Sequence, residues 1–258
     1  MPELPEVETI RRDLAPLLVG QRIEGVRIHA GAERLAVTDT PRDLERALTG
    51  RTVEAIGRHG KYLLLRLDDG RTWVMHLRMT GSLVHALADA PPHRFERARI
   101  DLDDGTTLRF NDLRKFGTWH LVEDPLDAMP NSGPDALSGE FTAAWLLDQA
   151  VAAGVGNIYA DEACWIAAID PRTPASRIGP TRATRLHAAV LQTLSDSLDD
   201  RGSSFSDYRD GLGGEGLHHV RVHVFRREGQ ACGRCGAIIL KKRVAGRGTH
   251  YCPGCQRR

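Results

Sequence analysis

Met1-Pro2-Glu3-Leu4-Pro5-Glu6-Val7-Glu8 opens the chain. Prolines and acids crowd the first turn, and Val7, Ile10, Leu14, Leu17 and Leu18 follow at helical spacing before Gly20. The pattern predicts an amphipathic helix over residues 5–19, since Pro is tolerated and carboxylates are favoured at a helix start. The same residues have a chemical reading. Initiator methionine is normally trimmed before a small residue, which here would leave Pro2 with a free secondary amine. An α-amino group has a pKa of about 8, so a useful fraction is unprotonated at neutral pH. A neutral amine attacks aldehyde carbons, and Glu3 and Glu6 are carboxylates suited to proton transfer. From these residues alone, helix start and nucleophile stand level.

A chain of 258 residues suggests one or two domains with a sizeable core. No apolar run reaches the length of a membrane span and no signal peptide is evident, so the expected location is the cytosol. Overall charge is +1, but it is unevenly spread. From His219 onward there are ten Lys or Arg against the single acid Glu228. A polyanion is the expected partner of that tail.

Four of the five cysteines form two pairs, Cys232-x2-Cys235 and Cys252-x2-Cys255. Two thiolates on each of two tight turns can close a tetrahedron around one structural zinc ion, and disulfides are the weaker alternative in a cytosolic chain. Cys164 lies in an apolar stretch and reads as a core thiol.

Between these ends the patterning changes. Runs 62–67 and 72–77 flank Asp68-Asp69-Gly70, and runs 99–102 and 106–110 flank Asp103-Asp104-Gly105, which reads as two hairpins. Residues 41–49 suggest a short helix. The Pro-, Gly- and Asp-rich 123–139 reads as a linker. Helices are expected over 141–152 and 182–198, with short strands around the cysteine pairs. The prediction is an α+β protein: an N-terminal antiparallel β domain (1–122) behind a leading helix, a helical domain (140–221) and a zinc-bound hairpin (222–258).

Pro2 through Glu8, Gly154-Val155-Gly156-Asn157-Ile158-Tyr159-Ala160 and the terminal cysteine pairs together resemble the formamidopyrimidine-DNA glycosylase/endonuclease VIII family of base-excision repair enzymes. The resemblance spans nearly the whole chain, and Leu4 favours the formamidopyrimidine branch over endonuclease VIII. It implies a β-sandwich, a helix–two-turn–helix bundle and a zinc finger. It also implies damaged double-stranded DNA as partner and a monomer without membrane association in the bacterial cytosol, at the nucleoid. The implied activity is release of oxidised purines followed by strand cleavage through β- or β,δ-elimination. An endonuclease VIII-like preference for oxidised pyrimidines, or a non-catalytic DNA-binding protein, are the rival readings.

A flipped base leaves a gap that apolar or planar side chains can fill. By resemblance these are Met79, in His76-Leu77-Arg78-Met79-Thr80-Gly81, and Arg114 and Phe116, in Asp112-Leu113-Arg114-Lys115-Phe116-Gly117, with Lys115 beside them on the DNA. Pro2 is implied as the Schiff-base amine, Glu3 as proton shuttle and Glu6 as an ordering residue. Lys61 is implied as a catalytic-site lysine and Arg247 as the functional arginine of the zinc hairpin. Asn157 is implied to contact phosphate; from the residues alone it is also an N-cap candidate.

Two departures stand out. The family carries a helix-sized stretch, with a lysine associated with base recognition, where this chain runs Ala144-Trp145-Leu146-Leu147-Asp148-Gln149 directly. The junction is either shorter in this protein or interrupted in the sequence. Leu217 and His218 also replace an aromatic pair in the loop that covers a flipped base, so base preference is not read from that loop.

Overall fold

The structure, a computed structural model, describes residues 1–138, 148–150, 152–244 and 246–258. The chain divides into two compact units, Met1–Pro130 with Asp200–Leu217, and Asn131–Asp199 with His218–Arg258. The first unit opens with α1 (Leu4–Leu18), one residue earlier than predicted, and includes α2 (Pro41–Leu48). Thr40 caps α2 by accepting the Asp43 N–H. Eight strands follow from the period-two patterns: β1 (Ile23–Ile28), β2 (Val53–His59), β3 (Tyr62–Leu67), β4 (Thr72–His76), β5 (Gly81–Leu87), β6 (Glu96–Leu102), β7 (Thr106–Asp112) and β8 (Thr118–Val122). They form two antiparallel sheets, ordered β1-β6-β7-β5 and β2-β3-β4-β8. Both predicted hairpins are present, as β3–β4 and β6–β7, with Gly70 (φ 85°) and Gly105 (φ 80°) taking left-handed turn positions.

One core joins the sheets and α1. Trp119 meets Trp73 edge-on at 4.7 Å and Phe110 of the facing sheet at 5.4 Å. Val7, Ile10, Leu14 and Leu18 of α1 are wholly buried in the same cluster. Each such side chain contributes about 1.5–3 kcal/mol, enough to seat the helix that carries the N-terminus.

The second unit contains α3 (Asn157–Ile166), α4 (Pro180–Asp199) and the hairpin β9 (Leu240–Val244)–β10 (Arg247–Tyr251). Leu186, Val190, Thr193, Leu194 and Ser197 form the buried stripe of α4. Tyr159 and Ser197 join α3 to α4 through a 2.7 Å hydroxyl contact. Among the described residues, the strands expected around the cysteines reduce to this one hairpin, because the cysteine pairs themselves occupy turns.

One boundary differs from the sequence division. Residues 200–217, expected within the 140–221 domain, pack with the first unit. Polar anchors explain this: Arg201 bonds Asp13 of α1 at 2.7 Å, Asp13 also accepts the Gly211 N–H, and His85 N–H donates to the Gly211 carbonyl. The expected helix at 141–152 and the shortened junction at 144–147 fall largely outside the described residues; Asp148–Ala150 is not helical. No described helix is long and apolar enough to cross a membrane.

Candidate active site and metal centre

The head of α1 is built from carboxylates. Glu3 is its N-cap, and a reciprocal capping box ties Glu3 and Glu6 together: the Glu3 N–H donates to Glu6 Oε2 at 2.8 Å, while the Glu3 side chain accepts from the Glu6 backbone. Glu6 Oε1 accepts the Ser203 N–H at 2.8 Å. Gly202 (φ 86°) approaches so closely that a Cβ there would lie 3.0 Å from Glu6 Cγ. Tyr208, buried beside Glu6, has its hydroxyl pKa pushed well up by burial and by the nearby negative charges. It therefore stays a donor, to the carbonyls of Arg201 and Glu6. Pro2, Glu3 and Glu6 are all buried, whereas Met1 is 49% exposed. Removing Met1 would thus uncover the Pro2 nitrogen without opening the core.

Lys61 follows Gly60 (φ 55°) in the β2–β3 turn and is 8% exposed. Arg58 fastens that turn to α1, holding Glu8 Oε2 at 3.1 Å and the Gly60 carbonyl at 3.0 Å. Burial would raise the Glu8 pKa, but hydrogen bonds from Arg11 and Arg12 and the charges of Arg11 and Arg58 lower it to about 2. Removing one partner of such a buried pair costs about 3–5 kcal/mol.

The structure brings Met79, Arg114 and Phe116 together. Arg114 Nη1 lies 2.8 Å from Met79 Sδ, and its guanidinium sits 4.6 Å over the Phe116 ring. Met79 and Phe116 remain 41% and 47% exposed, so two loops present one apolar-cationic cluster to solvent. Lys115 does not join it; its ammonium stands beside Gly31.

In the second unit the N-cap of α3 is Gly156, not Asn157, which is the first helical residue. The correction frees the Asn157 side chain from capping. Its Oδ1 instead accepts from Arg247 Nη1 at 3.3 Å. Gln149 braces the glycine loop, accepting the Gly154 N–H and donating to the Val155 carbonyl. Glu162 of α3 accepts the N–H groups of His223, Val224 and Phe225. Asp161 takes both the N–H and Nδ1 of His250 on β10. Two buried carboxylates thus tie the zinc hairpin to the helix that presents Asn157.

The four Sγ atoms of Cys232, Cys235, Cys252 and Cys255 lie within 4.8 Å of one another. The Cys232–Cys255 and Cys235–Cys252 separations are 3.9 and 3.3 Å. A zinc tetrahedron with Zn–S bonds of about 2.3 Å has edges of about 3.8 Å, so the donor set fits one structural zinc. The thiols alone oppose one another. Burial and the neighbouring Cys252 and Cys232 push Cys255 up to about 12. Cys232, also disfavoured by burial, is brought down to about 6 by N–H groups from Trp165, Arg234 and Cys235. A dication would hold all four as thiolates. Trp165 backs the site: its indole donates to Cys232 Sγ at 3.4 Å between stacked His223 and the Arg234 guanidinium. Cys164 is buried, its pKa raised to about 12 by burial, as befits a core thiol.

Arg58, Ser203, Tyr208, Gln149, Asp161, Glu162 and Asp112 were not singled out by sequence reasoning. Asp112 and Gln149 stood inside quoted stretches, and Gln149 acts on residues five and six positions on; the others act through partners distant in sequence and leave no local signal.

Three family profiles match: the formamidopyrimidine-DNA glycosylase N-terminal domain over residues 1–119, its H2TH domain over 138–208, and the zinc finger found in FPG and IleRS over 229–258. The formamidopyrimidine-DNA glycosylase of Chloroflexus aurantiacus is 41% identical over 275 residues, covering 99% of this chain and 98% of the relative. That span exceeds the 258 residues here, so the relative carries residues without a counterpart in this chain. Lactococcus lactis Fpg in complex with abasic-site DNA superposes with a TM-score of 0.88 at 34% identity, covering 99% of this chain and 100% of that one. MutM in complex with DNA containing carbocyclic 8-oxo-G gives 0.88 at 34%, with both chains fully covered. With three profiles spanning most of its length and a relative 41% identical over nearly all of it, this chain belongs to the formamidopyrimidine-DNA glycosylase family.

Proposed function

We propose that this protein excises oxidised purines, 8-oxoguanine and formamidopyrimidines, from duplex DNA in base excision repair, and then cleaves the strand at the same site. Pro2 is the nucleophile for both steps. The observation that carries the reading is the seating of Pro2: buried at the head of α1, beside the buried carboxylates of Glu3 and Glu6, and next to the exposed Met1. Once Met1 is removed, the Pro2 nitrogen lone pair attacks the deoxyribose C1′ and the base leaves with the glycosidic electron pair. The amine proton is lost and the sugar ring opens, with Glu3 moving protons to the ring oxygen. The resulting iminium withdraws electrons and acidifies the C2′ proton. Loss of that proton expels the 3′-phosphate, and water then releases Pro2. Lys61 supplies positive charge at the DNA backbone.

Met79, Arg114 and Phe116 fill the gap left by the extruded nucleotide. Asn157 and Arg247 take a phosphate together, and Lys115 adds a backbone contact. The four cysteines would hold one zinc ion with no ligand position left open, so the metal would brace the hairpin and take no part in the chemistry. The protein acts as a monomer in the cytosol.

Borohydride trapping on abasic duplex DNA tests the chemistry. Native protein should give a covalent adduct, and Pro2→Gly should not; tight binding without an adduct from native protein overturns the mechanism. Excision from 8-oxoguanine duplexes should exceed that from thymine-glycol duplexes, and the reverse order would assign oxidised pyrimidines instead.

A further inference from the structure

Asp112, the last residue of β7, is 1% exposed and stands where two loops meet. Its Oδ1 accepts from the Thr80 hydroxyl and, at 3.1 Å, from the Arg114 N–H. Its Oδ2 accepts the Phe116 and Gly117 N–H groups, each at 2.8 Å. The Thr80 hydroxyl in turn accepts the Arg114 N–H at 3.0 Å. One carboxylate therefore binds the backbone of the loop bearing Arg114 and Phe116 and the side chain next to Met79. Its own backbone is held as well, by Arg97 Nε at 2.7 Å and by the Phe95 carbonyl at 2.9 Å.

Each loop contains a left-handed non-glycine residue, Arg78 (φ 55°) and Lys115 (φ 57°), a conformation that persists only where surrounding contacts enforce it. Gly117 adds a close approach, since a Cβ there would fall 2.4 Å from the Phe110 ring. A cavity of about 280 Å³, lined in part by Gly31, Phe110, Asp112, Lys115 and Phe116, lies against the second loop. An unpinned loop would have room to shift into it.

We propose that Asp112 is the positioning residue that couples the two loops, so that Met79, Arg114 and Phe116 enter the duplex as one wedge. The inference rests on the reading of those three side chains as gap fillers. Only a carboxylate serves here: an asparagine of the same shape would turn an NH2 group toward at least one donor that Asp112 now accepts.

Two reactions separate coupling from general damage to the fold. Excision of 8-oxoguanine from a duplex requires the wedge. Borohydride trapping on a preformed abasic site in single-stranded DNA requires Pro2 but no gap filling. Asp112→Asn should slow duplex excision by about tenfold to a hundredfold, the scale of lost hydrogen bonds to a charged group, while leaving single-strand trapping near native. Thr80→Val, which removes the hydroxyl's bonds to Asp112 and to the Arg114 N–H but keeps the three N–H groups that Asp112 accepts from the second loop, should show the same split at a smaller size. It supplies the test if Asp112→Asn does not fold. A 2-aminopurine opposite the lesion should report reduced insertion in both variants. Combining Asp112→Asn with Phe116→Ala should cost little more than Phe116→Ala alone. Equal losses in both reactions, or fully additive losses in the double variant, would overturn the coupling. Should Met79→Ala and Phe116→Ala leave duplex excision intact, it is the gap-filler assignment that has failed.

Discussion

Two helix starts in this protein carry opposite patterns of charge: acids crowd one and are missing from the first turn of the other. The head of α1 is filled with carboxylate: Glu3 caps it, Glu6 answers from the first turn, and Pro occupies an early position where no N–H is needed. The head of α3 has a glycine cap, no side-chain cap and no acid in its first turn. The partial positive charge that every helix carries at its N-terminus is thus met by side-chain carboxylates in α1, whereas the first turn of α3 brings no acid of its own. The difference teaches what each region serves. Under the proposed function, one places proton-transfer groups around an amine, and the other, with Asn157 and Arg247 in contact beside it, is the part proposed to meet a phosphate.

Substitutions that affect one function and spare the other sharpen this contrast. The largest effect is expected at α1. Glu3→Gln should lower single-turnover excision by about 10²–10⁴-fold, the usual range for a general acid–base group, with little change in duplex affinity. If affinity fell as far as rate, the head of α1 would be holding DNA and not doing chemistry. Zinc removal should act on the other side. Chelation should release the hairpin, alter Trp165 fluorescence and weaken duplex binding by about a hundredfold or more, because four-thiolate zinc supplies about 10–16 kcal/mol of folding energy in isolated fingers. Unchanged binding after zinc loss would break the link between α3 and the hairpin.

Asn157→Ala and Arg247→Ala should each weaken binding by about tenfold while leaving the rate at saturating protein near native, and Arg247→Ala should reduce the salt slope by about one. Their combined loss should be less than additive, because the two side chains touch. A rate defect in either variant would blur the division of labour.

The effects furthest from DNA binding and chemistry are on stability against pH. His76 is held neutral, mainly by burial and then by the charges of Arg78, Lys61 and His120, with its pKa lowered from 6.5 to about 3. Its Nδ1 accepts the Arg78 N–H at 2.9 Å, bracing the turn before Met79. The unfolded chain would take up a proton that the folded one refuses, so stability should fall as pH drops from about 6.5 toward 3. Glu8 follows the same sign lower down: its contribution is complete above about 4.5 and is lost as pH falls toward 2. Thermal melting of Glu8→Gln against the native protein across that window checks it. A native melting temperature that stays flat in both windows would show that neither group titrates as the structure requires.

Local signals made much of this legible. Apolar spacing located α1 within one residue, Asp-Gly turns located both predicted hairpins, and cysteine spacing identified the metal hairpin. These features depend on residues close together in the chain, where backbone geometry and side-chain period leave few choices. The cap of α3 was misassigned because Asn157 and Gly156 are both acceptable caps; contact with Arg247, ninety residues away, separates Asn157 from that task. Residues 200–217 pack with the first unit through anchors, Asp13 and Glu6 of α1, that lie nearly two hundred residues earlier and leave no local signal. Lys115 shared a motif with Arg114 and Phe116, yet its left-handed backbone is accompanied by a side chain directed to Gly31.

The sequence by itself determined which groups are present: a proline next to Met1, acids beside it, four thiols at zinc spacing and a basic tail. Tertiary structure alone decided which of them act together. Glu6 is ordered by Ser203, Lys61's turn by Arg58 and Glu8, the loops of Met79 and Phe116 by Asp112, and the cysteine hairpin by Asp161 and Glu162. In each case a buried carboxylate takes part. The physical reason is common to all: an acid removed from water must find hydrogen-bond donors, and the fold determines which distant segment supplies them.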